Sequence, residues 1–152
     1  MLPVLSPVAG HSLAVSDIPD PVFAKGLVGP GCAIMPRAGR QAAVAPVGGV
    51  LAKLHPHAYL VVTDAGRGVL VHLGIDTVHM QGEGFDLVHQ EGEHVEAGDA
   101  VVTWDPSAVE RSGRSPVCAV VVLDCDPGSV SHKAVDVDVE KGDLLFTVSC
   151  ST

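Results

Sequence analysis

The sequence predicts an all-β protein: an antiparallel β-sandwich or closed barrel, built from a duplicated unit and carrying little helix. Three observations point there. Valine is frequent, and 17 glycines and 11 prolines are spread over 152 residues; β-branched residues favour strands, while Gly and Pro punctuate turns. The apolar runs are short and bounded by turn signals, at 32–35, 58–63, 69–74, 100–104 and 117–123. Two stretches also recur. Ser6-Pro7-Val8-Ala9-Gly10 returns as Ala45-Pro46-Val47-Gly48-Gly49, 39 residues on, and Val95-Glu96-Ala97-Gly98-Asp99 returns as Val139-Glu140-Lys141-Gly142-Asp143, 44 residues on.

Each element has a local reason. The Pro-Val-x-Gly turns enter strands that end near Val15 and Leu54, with Pro fixing φ and Gly permitting φ > 0. The Val-Glu-x-Gly-Asp stretches read as tight hairpin turns between apolar strands, and the strands that follow also match, Val101-Val102-Thr103 against Leu145-Phe146-Thr147. A period that occurs only twice is a duplicated β unit rather than a solenoid. Weak helical turns are expected at 85–89 and 107–111. With no linker or low-complexity tract, residues 1–152 read as one domain.

Charge and cysteine usage narrow the function. A net charge of −9 and a pI near 5.1, with no Lys/Arg cluster, exclude a nucleic-acid surface but suit fast encounter with a basic protein. Cys32, Cys118, Cys125 and Cys150 form no C-x-x-C pair, so each is expected to be a reduced, structural thiol. The opening residues lack the pattern of a secretory signal, and no apolar run approaches a membrane span. A soluble, cytoplasmic chain without membrane insertion is expected.

Of eight histidines, His11, His79, His89, His94 and His132 sit in polar or turn-like surroundings and are expected to be solvated. His55, His57 and His72 cluster around one hairpin whose turn is 64–68. If the strands fold about the Asp64–Ala65 bond, His57 faces His72, Tyr59 faces Leu70 and Val61 faces Gly68. Directly opposed residues have Cβ atoms about 4.5–5.5 Å apart, so two imidazoles would reach a common point. A slip of one residue would break that pairing. Apolar neighbours would keep both rings neutral. A neutral imidazole is a nucleophile, and its partner can hydrogen-bond an arriving anion, which suits phosphoryl transfer. It also suits metal binding.

At these residues the chain resembles the glucose-type IIA component of the bacterial phosphoenolpyruvate-dependent sugar phosphotransferase system. The motif is Val71-His-Leu-Gly-Ile-Asp-Thr-Val78 followed by Gly82-Glu83-Gly84-Phe85, with His57-Ala58 lying 15 residues upstream. Supporting pieces are Ser6-Pro7 with Gly10, the run Ile18-Pro19-Asp20-Pro21-Val22-Phe23, Val28-Gly29-Pro30-Gly31, and Ala45-Pro46-Val47 with Gly49. The resemblance implies an antiparallel β-sandwich from a duplicated motif. It implies phosphorylation of His72 through Nε2, with His57 contacting the phosphoryl group, and no cofactor or nucleotide. The donor would be the phosphocarrier HPr, and the acceptor a cysteine on a IIB domain of a membrane sugar permease. Asp20, Val22, Phe23, Tyr59, Leu70, Asp76 and Val78 would form the partner-facing rim of a monomer. One departure is His55, where relatives often have a threonine that helps orient the pair.

The main rival is a zinc hydrolase with His55, His57 and His72 as ligands, since catalytic zinc takes three protein ligands and leaves one position open. The further H-x-x-x-D motif such enzymes need has no good match. A zinc ion bridging His57 and His72 at a partner interface is compatible with the relay role. A lipoyl- or biotinyl-type carrier would need a lysine at a hairpin tip; Lys141 lacks the usual flanking residues.

Overall fold

The computed structural model describes residues 1–149; Cys150 lies outside the described residues. Fourteen strands run β1 (Leu2–Leu5), β2 (Gly10–Ala14), β3 (Gly31–Pro36), β4 (Gln41–Val44), β5 (Gly49–His55), β6 (Ala58–Val62), β7 (Gly68–Leu73), β8 (Phe85–Leu87), β9 (His94–Val95), β10 (Ala100–Trp104), β11 (Cys118–Val122), β12 (Val130–Ser131), β13 (Asp138–Val139) and β14 (Leu144–Val148). Two short helices join them, α1 (Pro21–Ala24) and α2 (Pro106–Arg111). Each helix opens on an aspartate whose carboxylate caps the first turn, Asp20 for Val22 N and Asp105 for Ser107 N, with Pro at the first helical position.

All pairing is antiparallel. The large sheet has the order β13-β2-β3-β11-β7-β6-β5-β9, and two small sheets have the orders β1-β14-β12 and β4-β10-β8. The main core lies where their apolar faces meet, around Trp104, Tyr59, Phe146, Ile34 and Leu51, all fully buried. A second, smaller core of Ile18, Phe23, Ala33, Ile75, Val117, Ala119 and Val121 covers the outer face of the large sheet. Strand β11 is therefore buried on both faces, which is why Cys-Ala-Val-Val-Val shows no alternation.

The repeats are a structural duplication. Gly98 N donates to Ala45 O (2.9 Å) and Ala45 N to Asp99 O (2.8 Å). In the other copy Gly142 N donates to Ser6 O (2.8 Å) and Ser6 N to Asp143 O (2.7 Å). The two Pro-Val turns also clasp each other reciprocally, Leu5 N to Pro46 O and Val44 N to Pro7 O, both 2.9 Å. Within each Val-Glu-x-Gly-Asp turn the aspartate accepts from the Glu N–H, and the Gly takes φ near +90°.

Three expectations change. The Val-Glu-x-Gly-Asp turns do not close hairpins, because β9 and β13 join the large sheet while β10 and β14 join the small ones. Residues 85–89 are not a helical turn: Phe85 stacks on Trp104 (5.9 Å between ring centroids) and β8 pairs with β10, so sheet pairing overrides a weak local preference. The β6–β7 register is one residue off the expected one, with Ala58 facing His72, Tyr59 facing Val71 and Leu60 facing Leu70. The second helical turn forms as α2, and Cys32 and Cys118 are buried as expected while Cys125 is half-buried.

Candidate functional site

Strand β7 alternates cleanly. Val69, Val71 and Leu73 enter the main core, while Leu70 and His72 point to the outer face. On that face His72 is flanked by Ala119 of β11 and Ala58 of β6. Both cross-strand neighbours of the imidazole are thus alanines.

The shifted register would by itself turn a strand residue 57 away from His72. His57 escapes this because it lies in the turn Pro56-His57, between the paired residues His55 and Ala58. Its ring is therefore not bound by strand alternation. It meets His72 edge-on, with centroids 5.3 Å apart and planes 70° apart. His55 is exposed and stacks on His57, at 5.8 Å and 23°. Phe23, carried by α1 and nearly buried, contacts His72 edge-on at 5.4 Å.

His72 Nδ1 lies 2.6 Å from the carbonyl oxygen of Gly74. A carbonyl only accepts, so Nδ1 carries the proton and Nε2 keeps the lone pair. Gly74 has φ +80°, and a Cβ there would meet Thr77 Cγ2 at 2.6 Å. The loop is held from two further sides. Ile75 N donates to Ser115 O (2.9 Å), and the buried Thr77 hydroxyl donates to Leu73 O (2.8 Å). Burial lowers the pKa of His72, opposed by the Gly74 carbonyl and by the carboxylates of Asp20 and Asp76. Burial, then the charges of His72 and His55, pull His57 down to about 4. Both rings are thus neutral near pH 7: one presents a nucleophilic nitrogen, and the other is a neutral imidazole beside it.

The structure separates the expected rim residues. Val22 and Val78 are exposed, at 48% and 54%, on the elements that flank His72. Asp76 is exposed and Asp20 is half-buried as the helix cap. Leu70 is half-buried on the outer face and packs against the second core. Tyr59 is a correction: it is fully buried in the main core with its hydroxyl donating to Val44 O (2.7 Å), because the register shift sends it inward. Leu60 takes its place opposite Leu70. Sequence reading missed Leu27, the most exposed apolar side chain near α1 at 71%, as well as Ala58 and Ala119, whose small size carries no signal in one sequence. It also missed that His11 is tied to two carboxylates, Asp136 (2.8 Å) and Asp138 (2.9 Å). No group of three or more metal-ligating side chains converges among the described residues, and no helix is long and apolar enough to cross a membrane.

A pair of neutral, half-buried imidazoles bordered by the exposed Val22, Val78 and Asp76 suits a site that another protein covers. Comparison with known proteins gives the chain a family. The family model described as phosphoenolpyruvate-dependent sugar phosphotransferase system, EIIA 1, matches residues 2–127, and the chain belongs to that family. It is 37% identical over 148 residues to the PTS system glucose-specific EIIA component of Halalkalibacterium halodurans, covering 95% of this chain and 84% of that protein. It is also 37% identical over 148 residues to the PTS system glucose-specific EIIBCA component of Corynebacterium glutamicum, of which it spans 22%. Among solved structures, the glucose permease IIA from Mycoplasma capricolum superposes with a TM-score of 0.86 at 31% identity, over 95% of this chain and 94% of that one.

Proposed function

We propose that the 152 residues act as one cytoplasmic phosphocarrier domain. His72 takes a phosphoryl group from phospho-HPr through Nε2 and passes it to a cysteine of a IIB domain of a sugar permease. The observation that carries this is the hydrogen bond from His72 Nδ1 to Gly74 O at 2.6 Å, which leaves Nε2 as the nucleophile without a separate base. Attack forms the Nε2–P bond as the donor histidine's N–P bond breaks, and no nucleotide is required. Transfer to the IIB thiolate breaks the Nε2–P bond and forms an S–P bond.

His57, neutral and beside His72, donates a hydrogen bond to the phosphoryl oxygens, and charge builds there in the transition state. Val22, Phe23, Leu70 and Val78 form the apolar contact, and Asp20 and Asp76 meet basic groups on the carriers. His57→Ala should leave His72 phosphorylatable by phospho-HPr but block onward transfer. Transfer to IIB at the wild-type rate would remove His57 from the mechanism.

A further inference from the structure

The loop after His72 must stay in place for its tautomer to be defined, and one of its supports comes from a distant side chain. Asp76 sits in the left-handed region at φ 59°, a costly conformation for a residue with a Cβ, and its own side chain makes no capping bond. Its carbonyl receives the Nε–H of Arg114 at 3.1 Å, across 38 residues, besides a longer bond from His79 N at 3.2 Å.

Arg114 is itself aimed by the end of α2. Ser112 caps that helix, and Gly113 follows at φ +86°. Gly113 N then donates to Glu110 O (2.9 Å) and Arg114 N to Val109 O (3.2 Å), the paired bonds of a Schellman termination. The next residue, Ser115, accepts from Ile75 N. The chain leaving α2 thus grips the loop at two consecutive residues, 75 and 76, directly after the carbonyl that receives His72 Nδ1–H. The guanidinium has no carboxylate of Asp76 within ion-pair distance, so the grip is on the backbone.

We propose that Arg114 is a positioning residue: by holding the Asp76 carbonyl it fixes the loop whose Gly74 carbonyl selects the reactive tautomer of His72. The consequence for transfer rests on the phosphocarrier reading above; the tautomer effect does not. Nitrogen-15 NMR of the His72 ring in the free protein reads the tautomer directly. Wild type should show Nδ1–H. Arg114→Gln should show a mixture of Nδ1–H and Nε2–H, and its phosphorylation by phospho-HPr should slow about three- to tenfold, the worth of one hydrogen bond. Arg114→Lys, which keeps the charge but not the Nε–H, should follow the Gln variant, with far-UV circular dichroism reporting native folding in both. An unchanged tautomer in Arg114→Gln, or full recovery of tautomer and rate by Lys, would overturn the assignment. If wild-type His72 accepts no phosphoryl group, the phosphocarrier reading fails alone, and the tautomer comparison still decides the role of Arg114.

Discussion

Gly74→Ala probes how tightly the His72 loop is specified. Gly74 holds φ +80°, which costs a residue with a Cβ about 1–2 kcal/mol. The new methyl would also lie 2.6 Å from Thr77 Cγ2, 3.1 Å from Ser115 O and 3.3 Å from Val109 Cγ1. Thr77 cannot swing away freely, because its hydroxyl is bonded to Leu73 O. Overpacking of this kind costs about 1–3 kcal/mol. The expected loss is therefore on the order of 2–4 kcal/mol, read by urea unfolding, with a midpoint temperature lower by roughly 5–15 °C at this size. As the loop shifts, the Gly74 carbonyl should leave His72 Nδ1, and NMR of the ring should show a mixed tautomer. A Gly74→Ala protein within about 0.5 kcal/mol of wild type, the scatter of surface substitutions, and still holding Nδ1–H would refute this account of the loop.

Other outcomes are expected. His57 has a pKa lowered to about 4 from an ordinary 6.5, so on acidification the unfolded chain binds its proton first. Stability should fall as pH drops from about 6.5 to 4, and the difference between wild type and His57→Gln across that window, measured by denaturant titration, isolates this contribution. Tyr59→Phe should lose about 1 kcal/mol, since the Val44 carbonyl loses a buried donor, while transfer rates stay at wild type. A transfer defect with unchanged stability would return Tyr59 to the partner surface. Val78→Asp, at a side chain 54% exposed, should leave unfolding within about 0.5 kcal/mol while weakening carrier binding, as read by titration calorimetry.

Much of this could be read from the chain itself. The all-β class, the duplication and the central strands follow from turn residues and short apolar runs, and the two Val-Glu-x-Gly-Asp turns make equivalent bonds to the two Pro-Val turns, 139–143 to Ser6 and 95–99 to Ala45. The hairpin register was not legible, because a five-residue turn at 64–68 admits two pairings that differ by one residue. That slip exchanged Tyr59 for Leu60 on the outer face. It spared the histidine pair because Pro56-His57 forms a turn, where strand alternation does not apply. The resemblance implies reaction at Nε2, but what holds His72 in that tautomer was beyond sequence reading: it depends on a backbone carbonyl two residues on, aimed by a loop that the chain leaving α2 supports. The double carboxylate on His11 comes from contacts over 125 residues, which no local pattern announces.

His72 is expected to carry a phosphoryl group. Incubation with phosphoenolpyruvate, enzyme I and HPr, followed by mass spectrometry, tests it most directly. One added, acid-labile phosphoryl group that maps to His72 and is lost in His72→Ala is the expected result. A folded protein that gains no such group from active carriers, or gains it elsewhere, would contradict the claim.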